Sequence, residues 1–532
     1  MQSDVSVQLG SSCSAKSGVV AILETAATLP DGVCDVLFSG ARVLDPESGL
    51  DAIRNVGVTG DRISYVGDRF PRAREAVDVS GRVLAPGFID LHSHAQTLNG
   101  LRLQALDGVT TSLELEAGQL PVAQHYARAE RDGRPINFGY SASWALARLV
   151  VMDGFDLPTP SEDERLPNFL ETWGSGNTAA SRWRGVCTSA ETDRVLALLE
   201  QEVAQGAIGI GVLLGYAAQS NRGEYFWLAQ LAQRLGVPVF THARGMSYEE
   251  PTMMLTGILE IVAAAAGTGA RMHVCHLNST SLRQADEICS AVQSAQKLGN
   301  PLTTEAYPYG AGSTIIGAEW LAPERLGNLQ LTPSSVYYVP GAERVASAER
   351  LRELQRVDPS GVCVVNLLDL DDEHDRAKLL RTLTLPGSAI ASDAVPLGGV
   401  DDGDVLENHW PLEEGVFAHP RSMGTFAKTL RWLVRELGVM SLSEAVRRSS
   451  LIPAQILEEA VPAMRRKGRI QVGADADIIV FDADTVTDTA TYTHSTPSTG
   501  FAHVLVNGTF VVRDSTLLLG AHPGRAIRAG DG

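Results

Sequence analysis

The chain has 532 residues, 44% of them hydrophobic, and a mean hydropathy of +0.00. This composition excludes a disordered chain and a protein with several membrane-spanning helices, and no apolar run approaches the ~18 residues that a spanning helix needs. The formal net charge of -19, from 44 basic and 63 acidic residues, argues against nucleic acid and anionic membranes as partners, so we expect a small-molecule substrate.

The chain begins with a segment, residues 1–33, that has no basic stretch followed by an apolar one and so does not resemble a secretory signal. We predict a flexible leader there. The six cysteines are scattered and form no CxxC pair, which is typical of reduced thiols in a cytoplasmic protein. We therefore expect a cytoplasmic location, and no pattern in the sequence predicts an oligomeric state.

Short alternating runs separated by turn residues occupy both ends of the main body of the chain. They lie in residues 34–86 and again in residues 466–532, where runs such as ADIIVFD and HVLVNG are followed by Asp- or Gly-containing turns. Because the two ends carry the same pattern, we predict that they form one small β-sandwich domain beside a larger central domain.

In the central domain, residues 87–465, apolar β-rich runs alternate with longer helical segments, the pattern of a parallel sheet with crossover helices. Eight candidate strands favour an α/β fold of the closed (β/α)8 type, a TIM-like barrel. They lie at residues 88–94, 110–116, 136–143, 207–214, 238–243, 271–277, 301–307 and 388–394. The long gap before the last one predicts an insertion, residues 315–386, over the active-site face.

The first candidate strand, FIDLHSH, ends with His92 and His94. Alternation along a strand points both imidazoles to one face, a geometry that suits a divalent metal. A pair of solvent-facing loop histidines is the alternative, and the HxH spacing alone does not exclude it.

Other candidate strands end in the same kind of side chain. His242 closes PVFTHA, His276 closes MHVCHL and Asp393 closes AIASDA. All lie at C-terminal strand ends, where barrel active sites are built. His273 and His276 are three residues apart and face opposite sides of a strand, so only one points inward, and we predict that it is His276.

On the second candidate strand Glu114 and Glu116 share one face, where a carboxylate could bridge two metal ions. A buried ion pair is an equally good interpretation of Glu114. Imidazole and carboxylate donors predict Zn2+, as one or two ions, although another divalent metal fits the same donors. We expect hydrolysis of an amide by metal-activated hydroxide, with Asp393 as acid and base.

Longer motifs surround these residues: GRVLAPGFIDLHSH, GVTT at 108–111, THAR at 241–244, AYPYGAGST at 306–314, ASD at 391–393, HPRSMGTF at 419–426 and GADADIIVFDADTV before HVLVNG. From about Cys34 to its C-terminus the chain resembles the amidohydrolase superfamily and, within it, the D-aminoacylase (N-acyl-D-amino-acid deacylase) group.

The resemblance implies a role for two sets of residues. It implies that the metal ligands are His92, His94, His242 and His276, and that Asp393 is a ligand or an acid/base. It makes substrate-binding residues of Tyr216, Arg244, Tyr307 and Ser313. A tyrosine hydroxyl and an arginine fork would suit the α-carboxylate of an acylated amino acid. For each of these four, a structural hydrogen bond is the alternative.

Two positions depart from the family pattern. Family members often have Asn-Cys-Gly with a metal-bridging Cys at the end of the second strand, whereas this chain has Leu-Glu-Ala-Gly, and we predict that Glu116 takes the place of that Cys. After His276, where a Lys near the substrate is common, this chain has Asn278. The missing charge weakens the case for a substrate with a free carboxylate, and Asn278 joins the candidate substrate-binding residues.

The leading hypothesis is deacylation of an N-acyl-D-amino acid or a close analogue. A cyclic amide (hydantoin, dihydropyrimidine or lactam) hydrolase or a dipeptidase would use the same site, but the fourth strand, AIGIGVLLG, lacks the bridging Lys of several such groups. A barrel that has lost activity and serves as a binding protein is the third hypothesis.

Overall fold

The structure is a computed structural model that describes residues 33–157, 181–398 and 409–531. The predicted leader, residues 1–33, lies outside these ranges except for Val33, which begins the first strand. Among the described residues, no helix is both long and apolar enough to cross a membrane.

The strands, in chain order, are β1 (Val33–Asp45), β2 (Leu50–Thr59), β3 (Arg62–Gly67), β4 (Arg72–Asp78), β5 (Val83–Pro86), β6 (Phe88–Asp90), β7 (Val109–Gln119), β8 (Asn137–Ser143), β9 (Ile210–Leu213), β10 (Val239–His242), β11 (Met272–Val274), β12 (Leu302–Ala306), β13 (Ala311–Ile315), β14 (Val336–Tyr338), β15 (Glu343–Arg344), β16 (Val362–Asn366), β17 (Ala389–Ile390), β18 (Ile478–Phe481), β19 (Phe501–Val506), β20 (Thr509–Arg513) and β21 (Thr516–Leu517).

The α-helices in the described ranges are Leu98–Leu106, Val122–Asp132, Trp144–Asp153, Ser189–Ala204, Arg222–Leu235, Met254–Thr268, Leu277–Ser281, Ala285–Lys297, Ala348–Val357, Glu373–Leu383, Arg421–Lys428, Leu442–Ser449 and Leu451–Leu457. A π-helix, Thr429–Glu436, continues the helix that begins at Arg421. Short 3-10 turns lie at Leu214–Tyr216, Leu282–Gln284, Glu319–Leu321, Leu326–Leu329, Pro333–Ser335 and Pro462–Arg466.

Eight strands, β6 to β12 and β17, form one sheet in chain order, and neighbouring strands in it run parallel. The sheet curls until its two edges meet. Ser93 bridges Ala394 in parallel, His94 N donates to Ala394 O at 2.8 Å, and Ser392 N donates to Asp90 Oδ1 at 2.9 Å. The predicted (β/α)8 barrel is therefore confirmed. Each strand lies inside its predicted run except β7, which extends beyond residues 110–116 at both ends.

Several barrel strands are shorter than predicted because the backbone turns away at their C-terminal ends. β11 ends at Val274 and β17 at Ile390. Just beyond them His276 and Asp393 have positive φ angles of 32° and 51°, a left-handed conformation that breaks a strand and that non-glycine residues rarely adopt. The sequence pattern marks the apolar run but does not show this turn.

Strands from both ends of the chain share a second sheet, in the order β21-β20-β19-β18-β5-β1-β2-β3, with β4 beside β1. The antiparallel pair of β5 and β18 joins the N-terminal and C-terminal strands. A separate apolar cluster, which includes Phe38, Val56 and Leu505, packs on this sheet. The two ends therefore fold together, and the domain boundaries at residues 86 and 466 stay a prediction.

Between β12 and β17 lies a small extra sheet in the order β13-β16-β14-β15, with the helix Ala348–Val357. It spans residues 311–366, and the limits of the insertion at residues 315 and 386 stay a prediction. The next helix, Glu373–Leu383, packs on the outside of the barrel, where Lys378 Nζ lies 2.5 Å from Asp286. The extra sheet stands over the C-terminal ends of the barrel strands.

A buried network joins the terminal sheet to the barrel at Asp477. Its Oδ2 accepts from Lys467 Nζ at 2.6 Å and from Asn137 Nδ2, on β8, at 3.0 Å. Its Oδ1 accepts from Asn507 N at 2.7 Å. A buried ion pair that loses one partner leaves an uncompensated charge, so this junction is sensitive to substitution.

We expect Asp477→Ala to lower the free energy of unfolding by about 2 kcal/mol, because Asn137 Nδ2 and Asn507 N lose this acceptor while Lys467 keeps only Asp475, at 3.0 Å. Glu200→Ala removes an exposed partner of Arg234 and should leave the free energy of unfolding nearly unchanged. Urea denaturation measures both. Equal losses in the two variants would contradict the role given to the junction.

Candidate metal centre

The barrel brings the six predicted ligands together at the C-terminal ends of its strands. His92 and His94 follow β6, Glu116 lies on β7, His242 ends β10, His276 follows β11 and Asp393 follows β17. Within the described ranges, three close groups of possible ligand atoms include His92: one with Glu116 and His276, one with His94 and Asp393, and one with Cys275 and Glu305. In each group the atoms lie within 4.8 Å of one another.

The Glu116 carboxylate lies between two sets of ligands. Its Oε2 is 3.3 Å from His92 Nε2 and 3.7 Å from His94 Nε2. Its Oε1 is 3.1 Å from His242 Nδ1 and 2.7 Å from His276 Nε2. Each oxygen thus faces a different pair of imidazoles, which is the arrangement of a carboxylate that bridges two cations.

Asp393 completes the set on the Oε2 side. Its Oδ1 lies 3.5 Å from His92 Nε2 and 3.7 Å from His94 Nε2. We call His92, His94 and Asp393 the first cluster. The second cluster is the pair on the Oε1 side, His242 and His276, whose facing nitrogens are 3.0 Å apart.

The hydrogen bonds behind the first cluster show that it fits a cation. His92 Nδ1 lies 2.5 Å from Glu305 Oε1, and His94 Nδ1 lies 2.7 Å from Glu114 Oε2. Each ring therefore donates through Nδ1, and in the neutral form its Nε2 carries a lone pair. The two Nε2 atoms are 3.2 Å apart, so two acceptors face each other beside carboxylate oxygens. A divalent metal satisfies such a donor set.

Glu114 has a different position from Glu116, although the two share a face of β7. Its Oε2 holds His94, and its Oε1 accepts from Ala117 N at 3.2 Å. Glu114 therefore stands behind a ligand, in the buried pair that was the alternative interpretation of this residue.

The surrounding imidazoles keep Glu116 charged although it is buried. Burial raises the pKa of the Glu116 carboxyl, but His92, His276 and His242 together hold it well below its usual range. Burial lowers the pKa of His94, and the Glu114 carboxylate more than offsets this, so that the pKa of His94 is raised. The centre thus has a fixed negative charge at its middle.

His276 and Asp393 carry backbone strain. Their left-handed φ angles place non-glycine residues in a region that costs of order 1–3 kcal/mol each and that occurs mostly at functional sites. The structure turns His276 towards Glu116, whereas His273, fully buried on β11, contacts Glu305 and Thr303 instead.

A cavity of about 80 Å³ opens on the centre. His94, Glu116, His242, His276 and Asp393 lie at its base. Its walls are largely apolar and come partly from the extra sheet: Leu213, Met246, Ile315, Trp320, Val362, Val365 and Leu367. The cavity therefore offers a substrate a charged end and an apolar side.

Three of the five predicted substrate-binding residues line this cavity. They are Tyr216, whose hydroxyl lies 2.8 Å from Thr314 Oγ1, Tyr307, and Ser313, whose hydroxyl donates to Cys363 O at 3.1 Å.

The other two do not line it. Asn278 Oδ1 accepts from Tyr307 N at 3.2 Å, so its side chain holds the backbone after β12. Arg244 faces a neighbouring cavity, and its Nε and Nη2 lie 2.7 and 3.1 Å from Glu260. Both side chains already make structural hydrogen bonds, so their predicted contact with substrate needs a rearrangement.

Arg421 is a site residue that the sequence patterns did not predict. It begins the helix Arg421–Lys428, its Nη2 lies 2.9 Å from Asp393 Oδ1, and its guanidinium lies over the Tyr307 ring. It is 1% exposed, and its Nε and Nη1 have no hydrogen-bond partner among the described residues. Its place in HPRSMGTF was the available signal, but no strand-end pattern marks it.

A model of the amidohydrolase family matches residues 75–306 and 279–512. The chain belongs to the amidohydrolase family. This confirms the family predicted from sequence motifs, and with it a hydrolase that acts on carbon–nitrogen bonds other than peptide bonds.

Curated relatives within this amidohydrolase family match along most of their length. The N-acyl-D-glutamate deacylase of Alcaligenes xylosoxydans xylosoxydans is 26% identical over 524 residues, which cover 93% of this chain and 96% of the relative. The D-aminoacylase of the same organism is 26% identical over 520 residues, which cover 93% and 97%. The predicted resemblance to the D-aminoacylase group is thus confirmed.

A solved structure has the same fold. The N-acyl-D-glutamate deacylase from Bordetella bronchiseptica, in complex with zinc and a phosphonate inhibitor, superposes with a TM-score of 0.73 at 24% identity. The match covers 93% of this amidohydrolase and 100% of the other chain.

A glycine beside the second cluster offers a test of its geometry. A Cβ added at Gly215 would lie 2.3 Å from His242 Cδ2 and 2.6 Å from its Nε2, too close for any real contact. We expect Gly215→Ala to displace the His242 ring and to lower the divalent metal retained after dialysis, measured by atomic absorption.

Gly327→Ala is the matched control, because a Cβ there meets nothing within 4 Å. It should retain as much metal as the wild type. Full metal retention by Gly215→Ala would contradict the placement of His242 in the centre.

Proposed function

We propose that the protein is a zinc-dependent deacylase of N-acyl-D-amino acids or close analogues. The observation that carries this proposal is the Glu116 carboxylate between two imidazole pairs, beside Asp393 and a buried arginine. The two curated relatives named above, both deacylases of D-amino-acid derivatives, support the substrate class.

Zn2+, as one or two ions, would be held by the two clusters and Glu116. Imidazole nitrogen and carboxylate oxygen are common zinc donors, and both are present here. When bound, the ion would lower the pKa of a water towards neutrality and polarise the amide carbonyl. The remaining steps belong to the side chains of the protein.

Asp393 would move the proton. Its Oδ1 lies 3.5 and 3.7 Å from the Nε2 atoms of His92 and His94, where the chain would hold the ion. Arg421 holds the same oxygen at 2.9 Å and keeps the carboxylate aimed into the cavity. Asp393 would accept the proton of the water and then give it to the leaving amine, as general base followed by general acid.

Arg421 would recognise the carboxylate of the amino acid. Two of its guanidinium nitrogens, Nε and Nη1, have no partner among the described residues, and the group is buried at the cavity wall. A buried guanidinium pairs strongly with a carboxylate. A cation is thus present although the Lys common in the family is Asn278 here, and the hydroxyls of Tyr307 and Ser313 lie on the same cavity.

The substrate that we expect in this cavity is a small-molecule amide. We expect neither nucleic acid nor a membrane as a partner. The five cysteines in the described part of the chain are all free and buried, which fits the reducing environment of the cytoplasm.

The first experiment is a substrate panel. With Zn2+ added, we expect hydrolysis of N-acyl-D-amino acids in preference to the L-isomers, dipeptides and hydantoins, measured by release of the free amine or by ring opening. Asp393→Asn removes the proton acceptor, so we expect kcat to fall by about 100-fold or more.

Ser443→Ala, at a half-buried position on the helix Leu442–Ser449 and outside this cavity, serves as the control and should keep wild-type kcat. Exclusive activity on cyclic amides would show a hydantoinase-type enzyme instead. A zinc-loaded protein without turnover of any amide would favour a binding protein.

A second experiment tests Glu116 as a bridging ligand. Glu116→Ala should lower the number of Zn2+ ions per chain, counted by mass spectrometry of metals after gel filtration. Glu116→Cys should retain it, because a thiolate is also a common zinc ligand. Unchanged stoichiometry in Glu116→Ala would rule out Glu116 as a ligand.

A further inference from the structure

Glu305 and His273 are buried ionisable side chains outside both clusters. Glu305 lies on β12 and His273 on β11, and they are 1% and 0% exposed. A buried carboxylate is costly unless hydrogen bonds or charges compensate it. Glu305 receives part of that compensation from His92, a member of the first cluster.

The contacts of Glu305 determine which nitrogen of His92 faces the centre. Its Oε1 accepts from His92 Nδ1 at 2.5 Å. Its Oε2 accepts from His273 Nε2 at 3.1 Å, and Thr303 Oγ1 donates to His273 Nδ1 at 2.8 Å. When both imidazoles are neutral, each of these three hydrogen bonds joins one donor to one acceptor. The lone pair of His92 is then on Nε2, which points at Glu116 and Asp393.

Glu305 also links its own strand, β12, to the residues that follow β6 and β11. Besides His92, which follows β6, it accepts from the backbone N of His276, after β11, at 3.3 Å. The nitrogen of His92 that it contacts is the one turned away from the other ligands. Glu305 therefore acts on the centre from behind His92 and is not one of the groups around the central space.

We propose that Glu305 is a positioning residue of the metal centre, which holds His92 in the tautomer and orientation that bind a divalent cation through Nε2. A carboxylate behind a ligating imidazole fixes the ring and raises its basicity, and loss of such a group typically costs roughly 10–100-fold in metal affinity. His273 and Thr303 complete the support by orienting Glu305.

The test is the binding of Co2+ to the metal-free full-length protein, followed by competition with a chromophoric chelator. We expect the Kd of one bound ion to rise about 10-fold in Glu305→Gln, which removes the charge, and up to about 100-fold in Glu305→Ala, which also removes the hydrogen bond. The visible absorption of bound Co2+ should change at the same time, because the His92 ring moves.

Glu202→Gln is the matched control. Glu202 is another buried carboxylate of the barrel, on the helix Ser189–Ala204, and it accepts from Val122 N at 2.6 Å, away from the centre. This variant should bind Co2+ as the wild type does. Thermal unfolding of the metal-free proteins shows whether either substitution disturbs the fold.

Wild-type Co2+ affinity in both Glu305 variants would overturn the proposal. Loss of all bound metal together with a lower unfolding temperature of the metal-free protein would also overturn it, in favour of a purely structural role. The inference rests on the proposed metal-dependent function, but its readout uses no substrate. The two proposals can therefore fail separately. A protein that hydrolyses no amide but binds Co2+ through a Glu305-dependent site would refute only the proposed function.

Discussion

The negative charge of Glu116, buried at the mouth of the barrel, is the constraint on which the rest of the site depends. A lone buried carboxylate is strongly destabilising, so the fold must surround it with positive charge or donors. Four imidazoles lie around it here, two at each oxygen. Two of these rings already donate to other carboxylates, which leaves lone pairs facing Glu116 and makes a cation the natural partner.

The barrel meets this constraint by spreading the ligands over strand ends that cannot move independently. The closure through Ser93 and Ala394 fixes His94, and Ser392 is bonded to Asp90, two residues before His92. The left-handed turns at His276 and Asp393 then aim those side chains inward. The strain at these two residues is therefore part of how the centre is assembled, and the packed strands around it supply the compensating free energy.

The strand-end histidines and Asp393 could be predicted because strand alternation and barrel topology are both regular. Alternation alone could not separate the roles of Glu114 and Glu116, because the two share one face of β7, and Glu116 was predicted as a ligand only from the departure from the family pattern. Arg421 was missed because it follows the last barrel strand by some thirty positions along the chain and reaches the cavity through a helix start. Arg244 was predicted as a substrate residue from its motif, but Glu260 already pairs with it.

Anomalous X-ray diffraction from crystals of the zinc-loaded protein would locate the metal ions without any assumption about substrate. We expect an anomalous peak in contact with the Glu116 carboxylate, and a second peak on its other oxygen if two ions bind. Zinc bound elsewhere, with no anomalous peak beside Glu116, would contradict the role of Glu116 as a metal ligand.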